Sequence, residues 1–144
     1  MNRTSITAAG LLLILSSSLA AMGVRHIAWD GLVQGKDGSK IRGLIEMVGG
    51  TAKGTTSAEV QYTGDTPGSA RAWHVHAGSC NKAGAILGAA SAYPALKVDA
   101  KGAIKAKATL RVQLPESGSY YIDVHDSPAN PGKIVACGDL LLAE

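Results

Sequence analysis

Apolar and polar residues alternate with a period of two along much of this chain. The clearest run is 103–113, where Ile104, Ala106, Ala108, Leu110 and Val112 alternate with Lys105, Lys107, Thr109, Arg111 and Gln113. Successive strand side chains project to opposite faces, so this run has one buried face and one wet one. Further runs with strand-like alternation, or strand-length apolar content, fall at 25–34, 40–48, 55–63, 69–76, 94–99, 119–125 and 134–142. Turn chemistry separates them: Lys36-Asp37-Gly38-Ser39, Gly49-Gly50, Thr63-Gly64-Asp65, Pro67-Gly68, Asp99-Ala100-Lys101-Gly102, Pro115-Glu116-Ser117-Gly118, and Ser127-Pro128-Ala129-Asn130-Pro131-Gly132. Outside the N-terminal stretch no segment sustains the 3.6-residue apolar period of a helix. Eight short strands with no helix between them predict an all-β chain, an antiparallel sandwich or barrel. The chain has no Phe, so the core must come from Val, Ile, Leu and Ala, with Trp73 and Trp29 as its bulk.

The N-terminus changes the picture of where the chain works. Arg3, the apolar run Ala8 to Leu15 and the small-x-small sequence Ser18-Leu19-Ala20 together read as an export signal over 1–20, with Ala21-Met22-Gly23 as a second cleavage choice. The apolar stretch is shorter than the roughly 20 residues a membrane span needs. An uncleaved anchor is the alternative. The expectation is a periplasmic or secreted protein with no membrane attachment after cleavage, and a single domain over 21–144. The full-chain charge of +3 carries no basic block and no aromatic–basic interleaving, so nothing indicates a nucleic-acid partner. Two cysteines, Cys80 and Cys137, read as a disulfide in an exported protein. A thiolate metal site is the weaker reading, because the two are far apart and each stands alone.

Trp73-His74-Val75-His76 carries the candidate chemistry. On a strand, His74 and His76 project from one face and Trp73 and Val75 from the other. A second run, Tyr120-Tyr121-Ile122-Asp123-Val124-His125, puts Tyr121, Asp123 and His125 on the face opposite its apolar one. In both strands the histidines lie on the face turned away from the core. Three neutral imidazoles suit copper, zinc or iron far better than magnesium or calcium. With no thiolate nearby, copper is the first choice and zinc the second. The competing reading makes each an ordinary strand histidine.

These residues, in this order, resemble the copper/zinc superoxide dismutases, whose fold is an eight-stranded Greek-key β-barrel. Trp73-His74-Val75-His76 is similar to the family's paired copper histidines, and Val124-His125 to the strand that brings another. Ile134-Val135-Ala136-Cys137-Gly138-Asp139-Leu140 is similar to its closing strand, whose cysteine would pair with Cys80. Val98-Asp99-Ala100-Lys101-Gly102-Ala103 resembles the turn after its metal-binding loop. The resemblance runs from about residue 30 to the C-terminus. It implies one copper ion on His74, His76 and His125, and superoxide or copper ions as what the protein meets, with a homodimer as a candidate assembly.

The departures are as specific. The family places its bridging histidine and its zinc ligands between the disulfide cysteine and the next strand, but here Asn81 to Leu96 contains no His, Asp, Glu or Cys. Zinc is therefore not expected. His26 lies outside the matched motifs and is a weak candidate ligand. The family's anion-holding arginine, three residues before the last cysteine, is Ile134 here. Lys133 is the candidate anion guide, although a slip of one residue points it to the other face, as for a plain surface lysine. Asp123 and Asp126 flank His125 and are candidates to orient an imidazole. Three functions follow: a copper-only superoxide dismutase, a copper store or delivery protein without turnover, and a barrel that has lost metal function and serves as an interaction module.

Overall fold

The computed structural model describes residues 27–143. The export signal, the alternative anchor and His26 lie outside the described residues. Among the described residues there are eight antiparallel strands: β1 (Ala28–Gly35), β2 (Arg42–Gly49), β3 (Thr56–Thr63), β4 (Ala70–Ala77), β5 (Leu96–Lys97), β6 (Ile104–Leu110), β7 (Tyr120–Ser127) and β8 (Asn130–Ala143). One short 3₁₀ turn, Ala90–Ala92, interrupts the β4–β5 connection. The strands hydrogen-bond in the order β5-β4-β7-β8-β1-β2-β3-β6, and β5 and β6, the two ends of that order, approach each other to leave a nearly closed barrel. β7 returns past β5 and β6 to pair with β4, which is the Greek-key connection.

The period-two pattern explains which residues fill the barrel. In β6, Ile104, Ala108 and Leu110 are buried while Lys105, Lys107 and Thr109 are exposed. Trp73 and Val75 of β4 and Ile122 and Val124 of β7 are completely buried. Each tryptophan keeps its indole N–H satisfied, as a buried polar handle must be. Trp73 Nε1 donates to the Pro94 carbonyl at 2.9 Å and Trp29 Nε1 to that of Pro115 at 2.7 Å. Tyr62, Tyr93 and Met47 also enter the core. They supply bulk that a phenylalanine-free chain needs.

Two strands differ from the sequence expectation. The run 94–99 shrinks to Leu96–Lys97, since Pro94 spends its carbonyl on Trp73 and the chain turns at Asp99. The turn expected over 127–132 narrows to Pro128-Ala129, and β8 begins at Asn130. The register between His125↔Ile134 and Ser127↔Asn130 is irregular there. Pro131 sits in that irregularity, where its missing N–H costs no ladder bond.

Candidate metal centre

β4 and β7 are hydrogen-bonded neighbours, and their register decides what meets on the outer face. His76 lies opposite Tyr121, His74 opposite Asp123, and Ala72 opposite His125. His74 and His125 are therefore diagonal neighbours, close enough for two rings to touch. His74 Nδ1 and His125 Nε2 are 3.1 Å apart. The His74 and His76 ring centroids are 5.9 Å apart, a consequence of their two-residue spacing on one strand. Taking one nitrogen from each ring, all three lie within 4.8 Å of one another, so the group could hold a metal ion.

Local contacts sort the nitrogens. His76 Nδ1 lies 3.0 Å from the Gly84 carbonyl, which can only accept, so this nitrogen carries the proton. His76 Nε2 is then left with a bare lone pair, and it is buried with no hydrogen-bond partner. Metal-binding imidazoles need this arrangement: one nitrogen tied to a carbonyl, the other free. His74 Nδ1 and His125 Nε2 supply the other two candidate donors. Two imidazole nitrogens about 2 Å from one ion at a tetrahedral angle are roughly 3.3 Å apart, near the separation found for this pair.

The sequence places the histidines on the face away from the core, and the strands do so. That face is not open, however: His125 is only 5% exposed. The β4–β5 connection folds back over it. His76 bridges to Ile86, Leu87 N–H donates to the Val75 carbonyl, and Gly84 N–H donates to the Tyr121 hydroxyl. Gly84 reaches this position because it lacks a side chain, since a Cβ there would overlap the Ala77 carbonyl oxygen. Two tyrosines complete the cover. Tyr121 stacks on His76 with centroids 5.1 Å apart, and Tyr93 stands edge-on to His74 at 5.2 Å. The alternation of β7 put Tyr121 on the histidine face; nothing in the sequence marked Tyr93 or the Gly84 carbonyl. The far end of the cover is pinned by the Cys80–Cys137 disulfide, with a Cα–Cα distance of 6.0 Å.

The other candidates fall differently. Asp126 holds Arg71 and Lys133, at 3.6 and 3.5 Å, rather than an imidazole. Lys133 makes this contact at the surface, with its side chain 62% exposed. Ile134 is the residue opposite His125 on β8. Asp123 is buried opposite His74, but it bonds neither His76 Nε2 nor His125 Nδ1, both of which lack partners. The role of imidazole orienter passes instead to Gly84 for His76.

Burial sets the charge state. It pushes His74 down to about 4, with the His125 and His76 imidazoles adding to the shift. Burial also lowers His125, while the nearby Pro131 carbonyl and Asp123 oppose it. His74 therefore stays neutral, as a ligand must, at mildly acidic pH. Burial raises Asp123, against the pull of His76, His125 and Lys36.

A pH dependence follows with a definite sign. An unfolded histidine takes up its proton near pH 6.5, but folded His74 resists until about 4. The unfolded chain therefore binds more protons in that window, and stability is lost as pH falls through it. The urea midpoint of the metal-free protein should drop between pH 7 and pH 4.5, and His74→Gln should flatten that slope. A wild-type midpoint that does not move with pH would contradict this account.

Neither the protein-family models nor the curated proteins contain a match to this chain.

Proposed function

We propose that the chain is an exported copper protein that dismutates superoxide at His74, His76 and His125, without zinc. The observation that carries the reading is the convergence of three imidazoles from two adjacent strands, with His76 Nε2 bare and buried. All-nitrogen donor sets of this kind favour copper or zinc over hard cations. The residue resemblance to the copper/zinc dismutases favours copper, and the ligand-free composition of Asn81 to Leu96 disfavours a zinc partner. A copper ion held there would supply one-electron chemistry, cycling between Cu(II) and Cu(I). Two superoxide ions and two protons then yield one dioxygen and one hydrogen peroxide.

The chain's own residues set the conditions. The Gly84 carbonyl fixes the tautomer of His76, and burial keeps His74 neutral. Tyr121 and Tyr93 restrain the imidazole planes and exclude water from their faces. Protons for peroxide would be supplied by solvent water, since no bridging histidine is present among the described residues to carry one. A second reading, copper binding without turnover, draws on Ile134, which stands opposite His125 where the resembled family has its anion-holding arginine.

Pulse radiolysis of the copper-loaded protein separates the two. The dismutase reading expects superoxide decay well above that of a copper-treated His76→Ala variant. Equal decay rates, with copper bound stoichiometrically to the wild type, would leave only the storage reading.

A further inference from the structure

The outer face of β8, β1, β2 and β3 carries a second feature, on the opposite side of the disulfide from the histidines. There a groove of about 1000 Å³ runs over the sheet. Its floor is apolar and open: Leu32 is 62% exposed, Leu44 50% and Leu141 75%. Leu32 and Leu44 face each other across β1 and β2, so they form one continuous patch. Contiguous exposed leucines on a sheet face mark interaction surfaces more often than plain solvent contact.

The charges around that floor are unbalanced. Four carboxylates and a single lysine, Lys36, line the groove, on a chain whose overall charge is +3. Asp30 stands directly opposite Glu46, and Glu46 directly opposite Glu59. Like charges directly opposite on adjacent strands destabilise a sheet. Lys105 relieves Glu59 at 2.9 Å, and Asp139 accepts the Cys80 N–H at 2.7 Å. Among the described residues Asp30 and Glu46 have no ion pair. These carboxylates do not converge on a cation either, since the histidines form the one group of metal-ligating side chains found among the described residues. The acidity is spread along the groove, matching an extended partner rather than a point charge.

We infer that this groove docks a protein partner through a polypeptide segment carrying aliphatic anchors flanked by lysine or arginine. Charge selects this occupant over a second copy of the chain. A two-fold dimer would set this net-acidic patch against a second copy of itself. Cys80 and Asn81 border the groove, so a docked segment would lie beside the same connection that carries Gly84 to His76. The inference stands apart from the copper reading, because no histidine takes part in it.

The test uses the mature protein and two synthetic peptides, one alternating leucine with lysine and one alternating leucine with glutamate. Binding is followed by backbone amide shifts. The leucine–lysine peptide should shift the amides of Leu32, Leu44 and Leu141, and the leucine–glutamate peptide should not. Glu46→Lys should weaken the former by about tenfold without lowering thermal stability, because it relieves a like-charge pair. Comparable binding of both peptides, or shifts confined elsewhere, would overturn the proposal. A concentration-dependent dimer in sedimentation that Leu44→Asp dissolves would also overturn it, by making a second copy the occupant.

Discussion

His74→Ala should abolish stoichiometric copper binding while leaving the barrel folded. His74 is the pivot of the cluster: its Nδ1 lies 3.1 Å from His125 Nε2, and its ring is 5.9 Å from that of His76. Removing it leaves two imidazoles whose ring centroids are 6.4 Å apart, with no third donor among the described residues. Even removing a residue that merely orients a ligand costs about 10–100-fold in affinity, and loss of a ligand itself exceeds that. The fold should tolerate the change, because His74 lies on the outer face of β4 while Trp73 and Val75 hold the inner one. Elemental analysis after copper loading should give one copper per wild-type chain, close to none for the variant, and no zinc in either. Retention of one copper by His74→Ala, with native circular dichroism, would show that these histidines are not the site. Equal copper and zinc in the wild type would remove the zinc-free reading.

Much of this centre could be read from the chain, and the reason is geometric. A strand's period of two leaves no freedom about which face a residue takes, so His74, His76 and His125 were fixed to the outer face once their strands were recognised. What the sequence could not supply is the register between β4 and β7. It is register that sets His125 opposite Ala72, and so diagonal to His74 rather than two residues further along. The cover over the site was also hidden. The β4–β5 connection has little periodicity, and its role depends on one carbonyl, that of Gly84, which any residue type possesses. The structure also uses the missing side chain at Gly84 for close approach to Ala77, which no turn pattern marked. The ends of β8 were misplaced for a related reason. Asn130-Pro131-Gly132 carries strong turn chemistry, yet Pro128-Ala129 already turns the chain, and an irregular register absorbs Pro131. Lys133 illustrates the converse limit: its exposed contact with the Asp126 carboxylate at 3.5 Å joins residues on two strands, and no pattern within either strand announces it.

Replacing both cysteines, Cys80→Ser with Cys137→Ser, should cost stability and metal affinity together. The crosslink joins residues 57 apart in sequence. The chain-entropy model assigns such a loop roughly 4 kcal/mol, which for a domain of this size lowers Tm by roughly 15 °C. The second effect comes from where the crosslink acts. Cys137 stands opposite Asp123 on the histidine face, and Cys80 lies near the start of the connection that passes over His76. The disulfide and the Cys80 N–H bond to Asp139 hold that connection at one end, and Gly84 reaches His76 four residues later. Without the crosslink the Gly84 carbonyl should hold the His76 tautomer less firmly, letting the proton reach the nitrogen a metal would need. Affinity should then fall by about 10–100-fold, the usual cost of losing a ligand's hydrogen-bond partner. Reduction of the wild-type disulfide should reproduce both effects, which separates loss of the crosslink from the substitutions themselves. Calorimetric melting and copper titration on oxidised, reduced and double-variant protein test this. If the reduced and variant proteins melt lower but bind copper as tightly as the oxidised form, the disulfide acts on the chain alone and Gly84 does not need it. If binding weakens in step with melting, one covalent link serves both the fold and the free nitrogen of His76.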